Sequence, residues 1–265
     1  MPEVTVNGLK IHYRDVGDGF PIVFLHGYTG STRHWALTVP SLRDRFRCVS
    51  LDLPGHAQSE KSSDTAFYAM PNMAAVAYAA IREIGIEECY LVGHSMGGMI
   101  SLQLILDHPQ LVRALVLVDT AAAPLTGFES RNEKLRQTAR TDGMEAAFDL
   151  RSKGDPRAAD PVFLRLWREQ FLMTSLEAYI GGNLAMEDRE SLLDRLASLT
   201  VPTLIVCGEN DVPFLQPSRE MEAAIPDSEL TIIAGAGHAP ATETPREFNR
   251  TLTGFLDRVH AAAPA

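Results

Sequence analysis

The 265-residue chain lacks the features that mark several protein classes. No segment holds ~18 uninterrupted apolar residues, the length that a membrane-spanning helix needs. The first residues lack the basic stretch and apolar run of a signal peptide. The formal net charge of -10 is the opposite of the basic excess that binds nucleic acid or an anionic bilayer. We therefore expect a cytoplasmic protein without a nucleic-acid or membrane partner.

Cysteine is scarce, and the common cofactor motifs are missing. Cys48, Cys89 and Cys207 each lie in or beside an apolar run, and an odd number of cysteines cannot all pair within one chain. This pattern is typical of reduced core residues. We find no H-E-x-x-H, no paired C-x-x-C, no phosphate loop and no dinucleotide fingerprint, so we expect no metal and no organic cofactor.

Short apolar runs predict a mostly parallel α/β sheet. Apolar residues make up 45% of the chain, which suits one large core. The Asn7-Gly8 pair between the first two runs predicts a β-hairpin. The later runs are apolar throughout and alternate with segments of helical spacing, as in buried parallel strands joined by helices. The predicted strands are 4–6, 9–16, 22–25, 48–51, 89–92, 114–118, 203–207 and 230–233.

The alternation of strands and helices stops between Ala121 and Thr200. Helix formers dominate there, around 131–150, 161–171 and 187–199, which predicts a helical insertion at 123–199 in a core formed by 1–122 and 200–265. We expect its bulky residues Phe148, Trp167 and Phe171 to fold over a substrate and to bind an apolar part of it. The core helices are predicted at 33–45, 71–84, 97–108, 216–225 and 245–259.

The segment Gly93-His94-Ser95-Met96-Gly97-Gly98 stands between an apolar run and a helical stretch. A strand-to-helix turn this sharp forces its central residue into strained backbone angles, and glycines two positions away on each side remove the clashes of a Cβ atom. The turn would expose the Ser95 hydroxyl at the positive end of a helix. We therefore predict Ser95 as a nucleophile.

A serine nucleophile needs a base, and the base needs a carboxylate. His238 follows the last predicted strand in a loop of small residues, and Asp211 follows the strand before it. The chain order Ser95, Asp211, His238 suits a triad at one edge of a parallel sheet. Asp119, one strand earlier, is the competing carboxylate. His26 and His94 flank the same region and are expected to orient loops.

Attack on a carbonyl builds negative charge on its oxygen, so backbone amides must stabilise that charge. The strand ending at Leu25 runs into His26-Gly27-Tyr28-Thr29-Gly30, a glycine-containing turn at the same edge as Ser95. We assign the two donors of this oxyanion hole to the amides of Tyr28 and Met96.

These motifs together resemble the α/β-hydrolase superfamily in type and order. The matching segments are His26-Gly27, Asp52-Leu53-Pro54-Gly55-His56-Ala57-Gln58-Ser59, the Ser95 turn, Gly208-Glu209-Asn210-Asp211 and Gly237-His238. The resemblance implies an eight-stranded, mostly parallel sheet flanked by helices, and it identifies the insertion as a helical cap. Ala57 stands where the family usually has glycine. Haloalkane dehalogenases and epoxide hydrolases place aspartate at the position of Ser95, which disfavours both.

A narrower similarity lies in 115–122 and 143–146, which look like the 3-oxoadipate enol-lactonase and small-esterase branch. The resemblance implies a carboxylic ester hydrolase that cleaves a small ester or lactone through an acyl-enzyme on Ser95. Two alternatives remain open: a cofactor-free perhydrolase or C–C bond hydrolase with the same triad, and a ligand sensor on a hydrolase scaffold. A homo-oligomer is also left open.

Overall fold

A sheet of eight strands forms the centre of the protein in a computed structural model that describes residues 2–262. The strands are Glu3–Val6 (β1), Leu9–Val16 (β2), Phe20–Leu25 (β3), Phe46–Leu51 (β4), Cys89–His94 (β5), Val112–Val118 (β6), Thr203–Gly208 (β7) and Ser228–Ile233 (β8). Their order in the sheet is β1-β2-β4-β3-β5-β6-β7-β8. The pairs β1–β2 and β2–β4 are antiparallel and the other neighbouring pairs are parallel, so the predicted sheet is confirmed.

The hairpin that opens the sheet turns at the predicted pair. Asn7 and Gly8 have φ angles of 51° and 80°, and Val6 pairs with Leu9 directly across the turn. Positive φ at both central residues is the signature of the hairpin turn that Asn-Gly favours.

The central strands are buried on both faces because helices cover each side. Along β3, Val23 and Leu25 face one apolar cluster, whereas Ile22 and Phe24 face the other. This alternation follows from the two-residue period of a strand. The three cysteines lie in these clusters, buried and without a disulfide in the described part of the chain.

The described residues contain eight α-helices, which pack around the sheet or lie in the chain between β6 and β7. They are Met70–Glu83 (α1), Met96–Asp107 (α2), Glu129–Ser152 (α3), Pro161–Leu172 (α4), Leu176–Asp188 (α5), Val212–Ala224 (α6), Pro240–Glu243 (α7) and Pro245–Ala262 (α8). Short 3₁₀ helices occur at Thr32–Trp35, Val39–Ser41, Thr65–Tyr68, Pro109–Leu111, Pro156–Ala159 and Leu193–Ser198. The predicted helices 71–84, 97–108, 216–225 and 245–259 correspond to α1, α2, α6 and α8, and α6 begins four residues early.

The helix predicted at 33–45 is wrong. Two 3₁₀ helices, Thr32–Trp35 and Val39–Ser41, occupy this segment. Pro40 interrupts it because proline lacks an N–H group and disfavours helical angles in the residue before it. The apolar pattern instead reflects Trp35, which is fully buried beside Phe24.

The segment between β6 and β7 is helical as predicted, but its last helix lies elsewhere. The predicted helix at 187–199 is wrong: α5 ends at Asp188 and a 3₁₀ helix follows at Leu193–Ser198. Two glycines, which are poor helix formers, hid α5 from the sequence pattern. Gly181 is needed there because a Cβ atom would lie 2.4 Å from the carbonyl oxygen of Thr65.

We call residues 123–199 the cap segment. Its helices enclose their own apolar cluster, which includes Phe148, Phe171 and Tyr179. The helix α3 breaks at Gly143, where φ is 91° and ψ is 173°. The division into a core of 1–122 and 200–265 and a cap stays a prediction, and residue 1 and residues 263–265 lie outside the described residues.

Within residues 2–262, no helix has both the length and the apolar character to span a bilayer.

Candidate active site

Ser95 occupies the turn between β5 and α2 with strained backbone angles. Its φ is 51° and its ψ is -117°, a region that residues with a side chain rarely adopt. The amide of Ser95 donates a hydrogen bond to the Val118 carbonyl, 2.8 Å away, which ties the turn to β6. A Cβ atom on Gly93 would lie 2.5 Å from the Gly97 carbonyl oxygen. Glycine at position 93 is therefore required for the turn to close.

Three predicted residues from distant parts of the chain meet in a hydrogen-bonded line. The distance from Ser95 Oγ to His238 Nε2 is 3.0 Å, and that from His238 Nδ1 to Asp211 Oδ2 is 2.7 Å. Asp211 ends the loop after β7, and His238 lies in the loop after β8. Since the ends of parallel strands meet at one edge of a sheet, the topology itself brings these loops together.

Two further contacts fix the position of His238, one to its ring and one to its backbone carbonyl. The Phe214 ring lies 4.8 Å from the His238 ring, centroid to centroid. His94 Nε2–H donates to the backbone carbonyl of His238 over 2.6 Å. His94 thus connects the nucleophile turn to the base loop, in line with its expected role.

The competing carboxylate, Asp119, lies behind the triad rather than in it. It is fully buried, and its Oδ1 accepts a hydrogen bond from the Gly208 amide at 2.8 Å. Burial first, and then the charge of Asp211, raise the pKa of Asp119 well above its usual range. Through its hydrogen bond to Gly208, Asp119 therefore supports the loop that carries Asp211. Asp119, Asp211 and His238 are also the one set in the described residues close enough to share a metal ion, with ligand atoms within 4.8 Å.

The loop after β3 brings the amide of Tyr28 to the nucleophile. A Cβ atom on Gly27 would lie 3.2 Å from the Cβ atom of Ser95. Gly97, at the start of α2, also packs closely against the end of β3, because a Cβ atom added to it would lie 2.4 Å from the Leu25 carbonyl oxygen. Within the described residues, neither the Tyr28 amide nor the Met96 amide donates a hydrogen bond. Two unused donors therefore border Ser95.

His26 links the loop after β3 to the loop after β4 by hydrogen bonds. Its Nδ1–H donates to the Gly27 carbonyl at 2.8 Å, and its Nε2 accepts from the Leu53 amide at 2.9 Å. Burial lowers the pKa of His26 to about 4, so its imidazole is neutral near pH 7. Ala57, which replaces the usual glycine, keeps a positive φ of 47°. A residue with a side chain rarely adopts such an angle, so the loop carries backbone strain at Ala57.

A cavity of about 280 Å³ opens above the triad, between the sheet edge and the cap segment. Trp167 lines it together with Ser95 and His238, and its role as a substrate contact stays a prediction. Phe148 and Phe171, predicted as substrate contacts, are instead buried beneath the wall. The rings of Phe148 and Trp167 lie 5.2 Å apart, so Phe148 supports the residue that borders the cavity.

The sequence reasoning missed the charged part of the cavity wall. Arg131, Arg151, Asp155, Arg157 and Glu187 all line the cavity. They belong to the cap segment, where the sequence reasoning considered only the bulky apolar residues. The available signal was the set of arginines along α3. The sequence alone cannot show which of them face the triad.

Comparison with known proteins identifies the family. Residues 21–245 match the family model of the alpha/beta hydrolase fold. The chain belongs to the α/β-hydrolase family. The crystal structure of the enol-lactonase from Burkholderia xenovorans LB400 superposes with a TM-score of 0.88 at 26% identity, covering 97% of this chain and all of that chain.

Two curated members of the family are similar over most of their length. A Serratia proteamaculans protein, provisionally named carbamate hydrolase RutD, is 33% identical over an alignment of 252 residues that covers 89% of this chain and 90% of the relative. The pimeloyl-[acyl-carrier protein] methyl ester esterase of Aeromonas hydrophila is 28% identical, covering 94% of this chain and all of the relative. Fold and relatives together place this α/β-hydrolase among hydrolytic enzymes.

Proposed function

We propose that this protein is a serine hydrolase that cleaves small carboxylic esters or lactones through an acyl-enzyme on Ser95. The observation that carries the proposal is the line from Ser95 Oγ through the imidazole of His238 to Asp211, with distances of 3.0 and 2.7 Å. Both distances lie within the range of a proton-transferring hydrogen bond. Esterase and enol-lactonase relatives support the choice of acyl substrate.

The first step transfers one proton and forms one bond. The Ser95 hydroxyl attacks the carbonyl carbon while His238 Nε2 takes its proton, and the His238 Nδ1–H group donates to Asp211 Oδ2 throughout. The buried carboxylate stabilises the imidazolium that forms. Collapse of the intermediate expels the alcohol, which receives the proton from His238, and leaves the acyl group on Ser95.

The amides of Tyr28 and Met96 act on the oxygen of the substrate carbonyl. Because they have no internal acceptor in the described residues, they are available to donate when negative charge develops there. Losing one such donor typically costs ~10²–10³ in rate. Water then attacks the acyl-enzyme with His238 as base, and the acid is released by the same proton route in reverse.

A substrate panel with matched serine variants tests the proposal. We expect Ser95→Ala to lower kcat for a 4-nitrophenyl ester by about 10⁶-fold, the loss typical of removing a triad nucleophile. Ser63→Ala is the control because Ser63 is exposed and does not line the cavity. Mass spectrometry after treatment with a fluorophosphonate should find the label on Ser95.

The panel contains a 4-nitrophenyl ester, a lactone and a vinylogous diketone. Turnover of the diketone alone would assign C–C bond hydrolysis instead. Unlabelled Ser95, or equal activity of the Ser95→Ala variant and the wild type, would refute the proposed nucleophile.

A further inference from the structure

The wall of the catalytic cavity carries arginines that its own carboxylates do not pair with. Three lining arginines come from the cap segment: Arg131, Arg151 and Arg157. The lining carboxylates are Asp155, Glu187 and Asp211. The wall thus has three arginines and three carboxylates. Which arginines already have a carboxylate partner decides which of them are free to bind a ligand.

Each lining carboxylate is already engaged. Asp155 forms an ion pair with Arg157, with Nη2 to Oδ2 at 2.8 Å, and Arg157 also binds Glu243 at 3.1 Å. Glu187 forms an ion pair with the buried side chain of Arg136. Asp211 belongs to the triad through His238. No lining carboxylate is left for Arg131 or Arg151.

Arg151 has an unsatisfied donor in the cavity wall. Its Nε atom is buried and lacks a hydrogen-bond partner among the described residues. Its guanidinium carbon lies 5.6 Å from the ring centroid of Tyr28, whose amide borders Ser95. This ring contact accounts for the position of the guanidinium but supplies no acceptor in its plane. A buried donor on a charged group is costly to leave unpaired, which indicates a missing partner.

The break in α3 brings a second arginine to the same place. Residues 131 and 151 are twenty positions apart, a separation that would span about 30 Å in a straight helix. Because α3 folds back at Gly143, Arg131 Nη2 instead lies 3.4 Å from the backbone carbonyl of Arg151. In the described residues Arg131 has no carboxylate within ion-pair distance. Both arginines therefore line the cavity that holds Ser95.

We propose that Arg151 and Arg131 bind a carboxylate group carried by the substrate, so that the enzyme prefers esters or lactones that also contain a free acid. This inference rests on the proposed function, since the same cavity holds Ser95. Guanidinium groups suit a carboxylate because their planar N–H pairs match its two oxygens. The carboxylate of the ligand balances the two arginine charges that no lining carboxylate pairs with.

Pairs of substrates that differ only in this charge provide the test. 4-Nitrophenyl hydrogen glutarate and its ω-amide differ on the acyl side, and 4-acetoxybenzoate and 4-acetoxybenzamide differ on the alcohol side. We expect the acid of at least one pair to have a kcat/KM about 10- to 100-fold above that of its amide, the range given by a charge-assisted hydrogen bond. Arg151→Gln should lower kcat/KM for the acid about 10- to 100-fold more than for its amide, and so remove that preference.

Arg165→Gln is the matched control. It makes the same change of charge within the cap segment, but Arg165 is exposed and does not line the cavity. It should keep the preference for the acid. Equal rates for acid and amide in both pairs would overturn the proposal, as would an Arg151→Gln variant that loses activity on acid and amide alike.

A binding measurement separates this proposal from the catalytic one. Calorimetry with the Ser95→Ala variant should detect glutarate, more weakly when Arg151→Gln is added, and should detect the neutral diamide of glutaric acid less well. Glutarate binding without any hydrolysis by the wild type would refute the hydrolase function and keep the anion site. Hydrolysis of neutral esters without Arg151-dependent glutarate binding would refute the anion site alone. Stronger binding of inorganic phosphate than of glutarate would assign the site to a phosphoryl group and overturn the carboxylate.

Discussion

Replacing Gly97 with alanine should damage the catalytic site more than the rest of the protein. A Cβ atom at Gly97 would lie 2.4 Å from the Leu25 carbonyl oxygen and 2.6 Å from that of His26. Carbon and carbonyl oxygen ordinarily approach no closer than about 3.3 Å, so helix α2 and the end of β3 must separate by about 1 Å. That displacement moves the amides of Tyr28 and Met96 apart.

The structure gives the expected size of the loss of stability and of the loss of catalytic rate. Forcing one extra methyl group into a packed site typically costs about 1–3 kcal/mol. At about 2–4 °C for each kcal/mol in a chain of this size, the melting temperature should fall by several degrees while the protein still folds. A displacement of 1 Å in a catalytic constellation costs about 10²-fold in rate, so kcat/KM should fall by about that factor.

Gly254→Ala is the matched control for this substitution. Gly254 lies inside α8, and the nearest neighbour of an added Cβ atom would be Arg258 Nη1 at 3.9 Å. Alanine should raise the stability by up to about 1 kcal/mol through its helix propensity and leave the rate unchanged. Calorimetry and kcat/KM on a 4-nitrophenyl ester measure both quantities. A Gly97→Ala variant with the wild-type melting temperature and rate would refute the argument.

Two further predictions concern the carboxylates and the buried histidines. Asp211→Asn should lower kcat by about 10⁴-fold because the His238 Nδ1–H group loses its charged acceptor. Asp119→Asn should cost far less, because Asp119 is hydrogen-bonded to the Gly208 amide and not to His238. Equal losses of kcat in steady-state kinetics would contradict this assignment. Burial lowers the pKa of His26 to about 4 and that of His56 to about 3, so the unfolded chain binds these protons at a higher pH than the folded protein does. The free energy of unfolding, from urea titrations, should therefore be largest above about pH 6.5 and fall as the pH drops toward 4, and a value constant over that range would contradict the buried neutral rings.

The strands were the most predictable part of the fold because their sequence pattern is strong. A strand covered on both faces is apolar throughout, and each of the eight predicted runs lies within an observed strand. Helices that depend on tertiary contacts were harder to predict. Gly181 and Gly182 argue against a helix by propensity, yet α5 needs glycine there to pack closely against neighbouring residues.

The candidate site was predictable where chemistry limits the choice of residue. Ser95, Asp211 and His238 each follow a strand in a recognisable turn, and parallel strands bring such turns to one edge. The cavity wall was not predictable in the same way. Phe148 and Trp167 look equivalent in the sequence, but one supports the wall and the other lines it. Their difference depends on how α3 and α4 pack, which neighbouring residues alone do not encode.

The location of the cap segment matters for how the protein can diversify. All of its helices lie between two strands, β6 and β7, that pair directly with each other, as Val118 does with Val206. Insertions or deletions among α3, α4 and α5 therefore leave the strand register and the three triad loops in place. Natural drift or laboratory recombination can exchange this segment as a module, altering which molecules enter while preserving the reaction performed beneath it.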